Sequence, residues 1–594
     1  MKSGKQRHIL FMIKRLIPVC YNADRFEFIL FQSLSVLTGA MNGAGVFITQ
    51  IFIDSVYRAA QNRKVTPSVV MALTAFIALK LLLNILEGIR QVSADVNLFA
   101  AKENMNTEIQ MKAARIEPVE YEIPDWLDRI EKASEGIDSA HYLVNSTMSL
   151  FTYHLPFFLF LILYLQTLKP VMVLCLVLIF APVVLSHILR SSKFAELEDT
   201  AAPLRREYDA YFHAACGKEY YKETRSLGLF SYLKGMMLGT MGSLNDAVLR
   251  TRKKAAGIDF MLNTLSLLGY GGVLLLCVKY LLAGEITIGA FAAVYASIDT
   301  LYSEIEFLID EKIGGMIDEL GLVRNYIDFI DMPESPRKET ECEKENDIVL
   351  SHVSFCYPNS SEKSVNNVSL TIKKGETIAL VGENGAGKTT LVRLMIGLYK
   401  PTEGSVKIGE NDLSEVGFRS LFKGTSGVFQ HFQRYAFSLE DNIRIADFSS
   451  RKNEDDIDDL LKENGIRASD RETFPDGLQT ILSREYDGTE LSGGQWQRIA
   501  IARGLYRDSN IMVLDEPTAS IDPIEESNVY RRFSEYANGR TAIVVTHRMG
   551  SARIASRIIV MKEGSIVEAG THDKLMKAGG EYARMFDLQA KWYL

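Results

Sequence analysis

The sequence predicts two joined folds: an α-helical membrane domain of six long transmembrane helices, and an α/β domain built around a P-loop. Three observations carry that prediction. Six stretches before residue 330 stay apolar over about 20 residues, the length that crosses a hydrocarbon core. A short β-branched run at residues 378–381 leads into GENGAGKT and then into a helix-forming segment. A second apolar run, IMVL at residues 511–514, ends in two acids, Asp515 and Glu516.

With 594 residues the chain is too long for a single core, so at least two domains are expected. The average composition, 24% charged and 47% hydrophobic, hides a split between an apolar first half and an ordinary charged remainder. The formal charge of −8 argues against general nucleic-acid binding, which needs a concentrated basic face. Six cysteines form no C-x-x-C pair and no metal spacing, as expected for thiols in a reducing compartment.

The opening RHILFMIKRLIPVC is apolar but interrupted by Lys14 and Arg15. It is too broken for a cleavable signal core and reads as an interfacial helix over residues 1–25, with a flexible terminus as the alternative. The membrane domain is placed at 26–330, with spans at 26–52, 65–89, 142–165, 170–189, 258–282 and 286–308. The second carries Lys80 and the third His154, both tolerable if they face the bundle interior. Spans two and three, and four and five, are separated by long charged stretches without Pro- or Gly-rich tracts, so the helices should continue well past the bilayer. Lys and Arg cluster at the N-terminus and in the second long gap, which puts both gaps and both termini in the cytosol.

Midway along those gaps stand YEIPDWLDRIEKA (121–133) and KEYYKETRSLGLFSYL (218–233). Aromatics at a turn far from the membrane suit docking onto another domain; the alternative is packing inside the helical bundle. Asp299, Glu306 and Asp310 fall on one helical face at spacings of seven and four. Such a stripe would attract a cationic cargo, or else be a solvated or ion-paired face. The polar segment 331–347, with Pro333 and Pro336, reads as a linker to an ATPase domain at 348–594.

In that domain each motif has a physical reason. The loop Gly382-Glu383-Asn384-Gly385-Ala386-Gly387-Lys388-Thr389 sits in the strand–loop–helix context that a phosphate cradle requires. Its backbone N–H groups and the helix N-terminus face phosphate oxygens, Lys388 neutralises the β and γ phosphates, and the Thr389 hydroxyl reaches Mg2+. Asp515 is placed to hold Mg2+ through water, and Glu516 to polarise an attacking water as general base. Leu491-Ser492-Gly493-Gly494-Gln495 opens a second helix and offers another anion site. It lies too far along the chain to share a phosphate easily with Lys388, which predicts two chains closing head-to-tail over two nucleotides. His547, after the run 542–546, is a candidate γ-phosphate contact, although a lone histidine is commonly structural.

Together GENGAGKT and LSGGQ resemble the ABC transporter family, and with six spans, its half-size exporters with one nucleotide-binding domain per chain. The resemblance covers nearly the whole chain. It implies that Tyr357, in VSFCYP, stacks on adenine, and that Thr390 belongs to the nucleotide-binding residues. It also implies that Gln430, in GVFQHF, senses Mg2+ and couples to the membrane domain, that Asp522, in ASID, lies in the loop crossing the dimer, and that His547 is the switch histidine. The two aromatic stretches look like coupling helices. FQHFQRYAF and REYDGTELSGGQW are similar to exporters found beside bacterial peptide-antibiotic genes, and no N-terminal cysteine-protease domain is expected. The implied function is ATP-driven export of a small amphipathic molecule or peptide across the bacterial inner membrane, by a dimer. A homodimer is favoured because both catalytic halves are intact; a related partner is the alternative. Two other readings stay open: a siderophore-type importer on this scaffold, and an ATP-dependent sensor or gate without net transport.

Overall fold

The computed structural model describes residues 9–123, 126–338, 346–450, 452–516 and 523–590. They divide into two compact units, Met1–Ala114 with Asp128–Met332, and Arg115–Leu127 with Pro333–Leu594.

The first unit is helical. Five of its helical stretches are long and apolar enough to cross a membrane: Arg25–Gln61, Pro67–Arg115, Asp128–Leu168, Pro170–Arg190 and Phe230–Leu282. The sixth expected span coincides with the 20-residue helix Ile288–Phe307. It falls outside that set because Asp299, Glu304 and Glu306 interrupt its apolar residues. The long gaps are helical as expected. Pro67–Arg115 runs for 49 residues and Phe230–Leu282 for 53. At 1.5 Å per residue each is about 75 Å long, more than twice a hydrocarbon core of about 30 Å. The helix Ile9–Ala23 buries Met12, Leu16 and Cys20, a four-residue spacing that puts all three on one face.

Small residues set how closely the spans approach. A Cβ on Gly39 would lie 2.3 Å from the Tyr153 carbonyl oxygen, and one on Gly43 2.6 Å from that of Phe157. Glycines four apart therefore seat Arg25–Gln61 against the neighbouring backbone, where lipid supplies no hydrophobic drive. Two π-turns, Leu150–His154 and Leu308–Gly314, interrupt the inner helices. The first brings Tyr153 and His154 to Glu304, at 3.2 Å and 3.6 Å. His154 is thus buried, whereas Lys80 is exposed. Of the expected acidic face, Glu306 is exposed, and the side chains of Asp299 and Asp310 lie outside the described residues. In the second aromatic stretch a short helix, Tyr221–Ser226, leaves Tyr220, Tyr221, Phe230 and Tyr232 exposed.

The second unit holds two sheets. An antiparallel one carries Lys363–Ile372, Ile348–Cys356, Glu403–Ile408 and Asn411–Asp412 in that order. The other runs Ser565–Gly570, Arg557–Lys562, Thr377–Val381, Thr541–Val545, Ile511–Asp515, Thr425–Val428, with every pairing parallel except the first. Strands Ile511–Asp515 and Thr541–Val545 are buried at every position, which explains why they read as continuous apolar runs. Part of the first aromatic stretch folds with this unit. Val119, just before that stretch, packs on the unit's core, and the Glu122 carboxylate within it accepts from Arg393 at 2.9 Å and from the Tyr399 hydroxyl. Arg337, in the segment read as a linker, has a side chain only 1% exposed and pairs with Glu117 at 2.8 Å.

Candidate active site

Four neighbouring parallel strands deliver the site from their carboxyl ends, the side on which open α/β sheets bind ligands. Thr377–Val381 ends in the phosphate loop, Thr541–Val545 leads to His547, Ile511–Asp515 ends in the acids, and Thr425–Val428 precedes Gln430. Sequence positions more than 160 apart thereby share one cleft of about 680 Å³. It is lined by Gly382 to Thr390 without a gap, Gln430, Glu516 and His547.

Two of the loop's glycines, Gly382 and Gly387, are fixed by space as well as by dihedral. Gly387 has φ +89°, and a Cβ there would lie 2.2 Å from the Ser364 carbonyl oxygen. Gly387 leads directly into the helix Lys388–Met395, whose free N–H groups face the cleft. The Lys388 ammonium donates to the carbonyls of Gly382 (2.9 Å) and Glu383 (3.0 Å), so it lies folded along the loop. Burial lowers its pKa, against the pull of Glu516 and Asp515.

The acids have separate environments. Asp515 is buried, and its carboxylate accepts from the Thr389 hydroxyl at 3.3 Å. Burial, with the neighbouring Glu516 charge, pushes its pKa up to about 6. A desolvated carboxylate beside a hydroxyl and a second acid fits a divalent cation. Among the described residues no group of three or more His, Cys, Asp or Glu could hold a metal. Mg2+ in general takes one or two protein ligands and completes its shell with phosphates and water. Glu516 follows at φ +45°, left-handed and strained for a residue with a Cβ, with its N–H bonded to the Val545 carbonyl at 3.1 Å. Its carboxylate accepts from the Gln430 amide at 3.1 Å and stands 3.5 Å from His547 Nδ1. The His547 bond holds the Glu516 pKa below its usual value, and Glu516 raises that of His547.

Other expected residues stand apart. Tyr357 packs edge-on against Phe355 and Tyr399 and bonds the Thr390 hydroxyl at 2.9 Å, without lining the cleft. Ser492 caps the helix Gly493–Tyr506 in a capping box with Gln495, Leu491 is buried beside it, and none of the five signature residues, Gly493 and Gly494 included, lines the cleft. Asp522 lies outside the described residues. The residues that sequence reasoning missed are Met585, Leu588 and Gln589, which line the cleft from the C-terminal helix Glu581–Ala590. An amphipathic terminal helix has no motif, and only tertiary packing brings it there.

Residues 365–519 match the ABC transporter family. Those residues form an ABC transporter domain. It is 24% identical to the subtilin transport ATP-binding protein SpaT of Bacillus subtilis over 595 aligned residues, covering 98% of this chain and 95% of that protein. It is 28% identical to the nisin transport ATP-binding protein NisT of Lactococcus lactis, and 30% to an ATP-dependent lipid A-core flippase of Nitrosococcus oceani. Each of those two alignments spans 58% of this chain and 58% of the relative, just over half of either. A bacterial Atm1-family ABC exporter solved with ATP bound shares the fold, with a TM-score of 0.73 at 19% identity over 94% of this chain and 97% of that one. This ABC transporter is thus a multi-pass membrane protein with the exporter fold, and its C-terminal domain binds and hydrolyses ATP.

Proposed function

We propose that this ABC exporter moves a small amphipathic molecule or peptide out of a bacterial cytoplasm, across the inner membrane, as a dimer with two competent ATP sites. The observation that carries the catalytic part is the Glu516 carboxylate, turned into the cleft by a strained backbone and contacted by Gln430 and His547. In this reading the loop N–H groups and Lys388 hold the phosphates of ATP. Thr389 and Asp515 hold Mg2+, and Gln430 reports on it. Glu516 polarises the attacking water, and His547 meets the γ phosphate. Mg2+ bound there would supply charge neutralisation for the phosphates. Tyr357 packs the adenine, and Leu491 to Gln495 with Asp522 serve the nucleotide on the opposite copy. The absence of the signature residues from their own chain's cleft supports that last assignment.

Peptide or lipid cargo is proposed from the printed activities of the relatives, subtilin and nisin transport and lipid A-core flipping. The exposed aromatics around Tyr221 would dock on the second copy. ATP closure of the dimer would turn the membrane bundle outward, and hydrolysis would reset it. The test is ATP-dependent uptake into inside-out vesicles. Accumulation of an amphipathic peptide with stimulated hydrolysis is expected; hydrolysis with no flux of any amphipathic cargo would overturn export.

A further inference from the structure

We infer that Gln589, in the C-terminal helix, is a positioning residue that fixes the backbone carrying His547. The inference rests on the role proposed for His547 above.

The His547 imidazole is about half exposed and has Glu516 as its polar neighbour, so its own side chain does little to hold it. Its backbone is held instead. Thr546 N–H bonds the Leu380 carbonyl at 3.2 Å, which ties the strand end to the strand leading into the phosphate loop. Arg548 N–H donates to the Thr546 hydroxyl at 3.0 Å. Two further groups of the turn go to one side chain. Gln589 Nε2 donates to the His547 carbonyl, and Gln589 Oε1 accepts from Met549 N–H at 2.9 Å. A primary amide that meets the His547 carbonyl and the Met549 N–H closes a ring around Arg548 and fixes the peptide plane that follows His547.

The helix that presents Gln589 is anchored firmly enough to matter. Glu568 caps its start, accepting from the N–H groups of Glu581 (2.6 Å) and Tyr582 (3.1 Å). Tyr582 is fully buried, in one apolar cluster with Ala379 and Val381 of the strand before the phosphate loop and with Met549. At the other side Arg584 pairs with Glu383 of the phosphate loop at 2.9 Å. The C-terminal helix therefore registers phosphate loop and histidine turn against each other, and Gln589 is its contact with the latter.

The experiment compares wild type, Gln589→Ala, Gln589→Leu, His547→Ala and the His547→Ala/Gln589→Ala double variant. All are made in the full purified transporter, with ATPase kinetics and Tm measured on each. Gln589→Ala should lower kcat roughly ten-fold, inside the about hundred-fold that a 1 Å misplacement can cost. KM for ATP and Tm should stay within error. Gln589→Leu, similar in size, should reproduce the loss, which separates it from a packing defect. On the His547→Ala background the same substitution should change nothing, because Gln589 acts through the histidine. A normal kcat in Gln589→Ala beside a depressed one in His547→Ala overturns the inference and leaves the role of His547 standing. An equal loss on both backgrounds also overturns it, by showing an effect independent of His547. An unaffected His547→Ala instead overturns the underlying role, and the inference with it.

Discussion

The Glu516 carboxylate stands 3.5 Å from His547 Nδ1, and the opposite shifts of the two groups, the acid lowered and the histidine raised, mark them as a charge pair. Glu516 also carries the only left-handed non-glycine backbone in the cleft lining among the described residues. Strain held at that position implies a use for the carboxylate beyond packing. Glu516→Gln keeps shape and the contact to Gln430 but removes the base. It should bind ATP with unchanged affinity and lose at least about a hundred-fold in kcat. Equilibrium binding beside single-turnover hydrolysis checks both halves, and turnover near the wild-type rate would remove Glu516 from the mechanism.

Asp515 gives a pH signature. Its folded pKa, about 6, lies above the ordinary 3.8, so the unfolded chain ionises first as pH rises. Between those values the unfolded state binds fewer protons, and stability falls as pH rises through the window. Above it the penalty is constant, on the order of 2–3 kcal/mol. Asp515→Asn should therefore raise Tm of the nucleotide-free protein at pH 7.5 by several degrees and have no effect at pH 4. It should also abolish Mg2+-dependent hydrolysis. In the unaltered protein Mg2+ with ATP should release protons at pH 6 and few at pH 8, which calorimetry in buffers of different ionisation heat detects. A destabilised Asp515→Asn at pH 7.5 would contradict the burial argument.

What could be read from sequence here was local. The phosphate loop and the Asp515–Glu516 pair announce themselves because a few consecutive residues supply both turn and chemistry. Ser492 to Gln495 is legible as a cap for the same reason. Arg337 was not legible: it sits in a polar, proline-bearing segment, yet its guanidinium is buried because distant Glu117, Gly397 and Leu413 supply acceptors. The π-turns were also hidden. Each adds one residue to a turn without changing the apolar character of the stretch, so hydropathy passes over it. The helix Ile288–Phe307 shows the converse, since its acids are intelligible only once Glu304 is seen to accept from Tyr153.

Asp54 ties two helices of the first unit. Its buried carboxylate accepts from Gly289 N–H at 2.7 Å and from the Thr287 hydroxyl at 2.8 Å, where the helix Ile288–Phe307 begins. Asp54→Ala leaves the Gly289 N–H without its acceptor and should cost about 2 kcal/mol. Asp54→Asn retains one acceptor oxygen and should lose about half as much. Thermal unfolding in detergent measures the order, and equal Tm values for the two variants would deny the capping role.

Glu117 and Arg337 make the final case, one in which charge burial decides. The Arg337 guanidinium bonds both Glu117 oxygens at 3.0 Å and 2.8 Å, donates to the Gly397 carbonyl at 2.7 Å and lies 4.5 Å over the Phe418 ring. Its side chain is 1% exposed and that of Glu117 20%. Glu117→Ala removes the anion and leaves the cation buried, a loss of about 2–3 kcal/mol once the partial exposure of Glu117 is allowed for. For a domain of this size that is a fall in Tm of roughly 6 °C. Replacing both partners, Glu117→Ala with Arg337→Met, removes the stranded charge and fills its space with an apolar chain. The double variant should therefore be more stable than Glu117→Ala alone, the reverse of what additive losses would give. If the double variant instead melts lower by the sum of the two single losses, Arg337 is held by its carbonyl and ring contacts rather than by Glu117, and the ion pair contributes little.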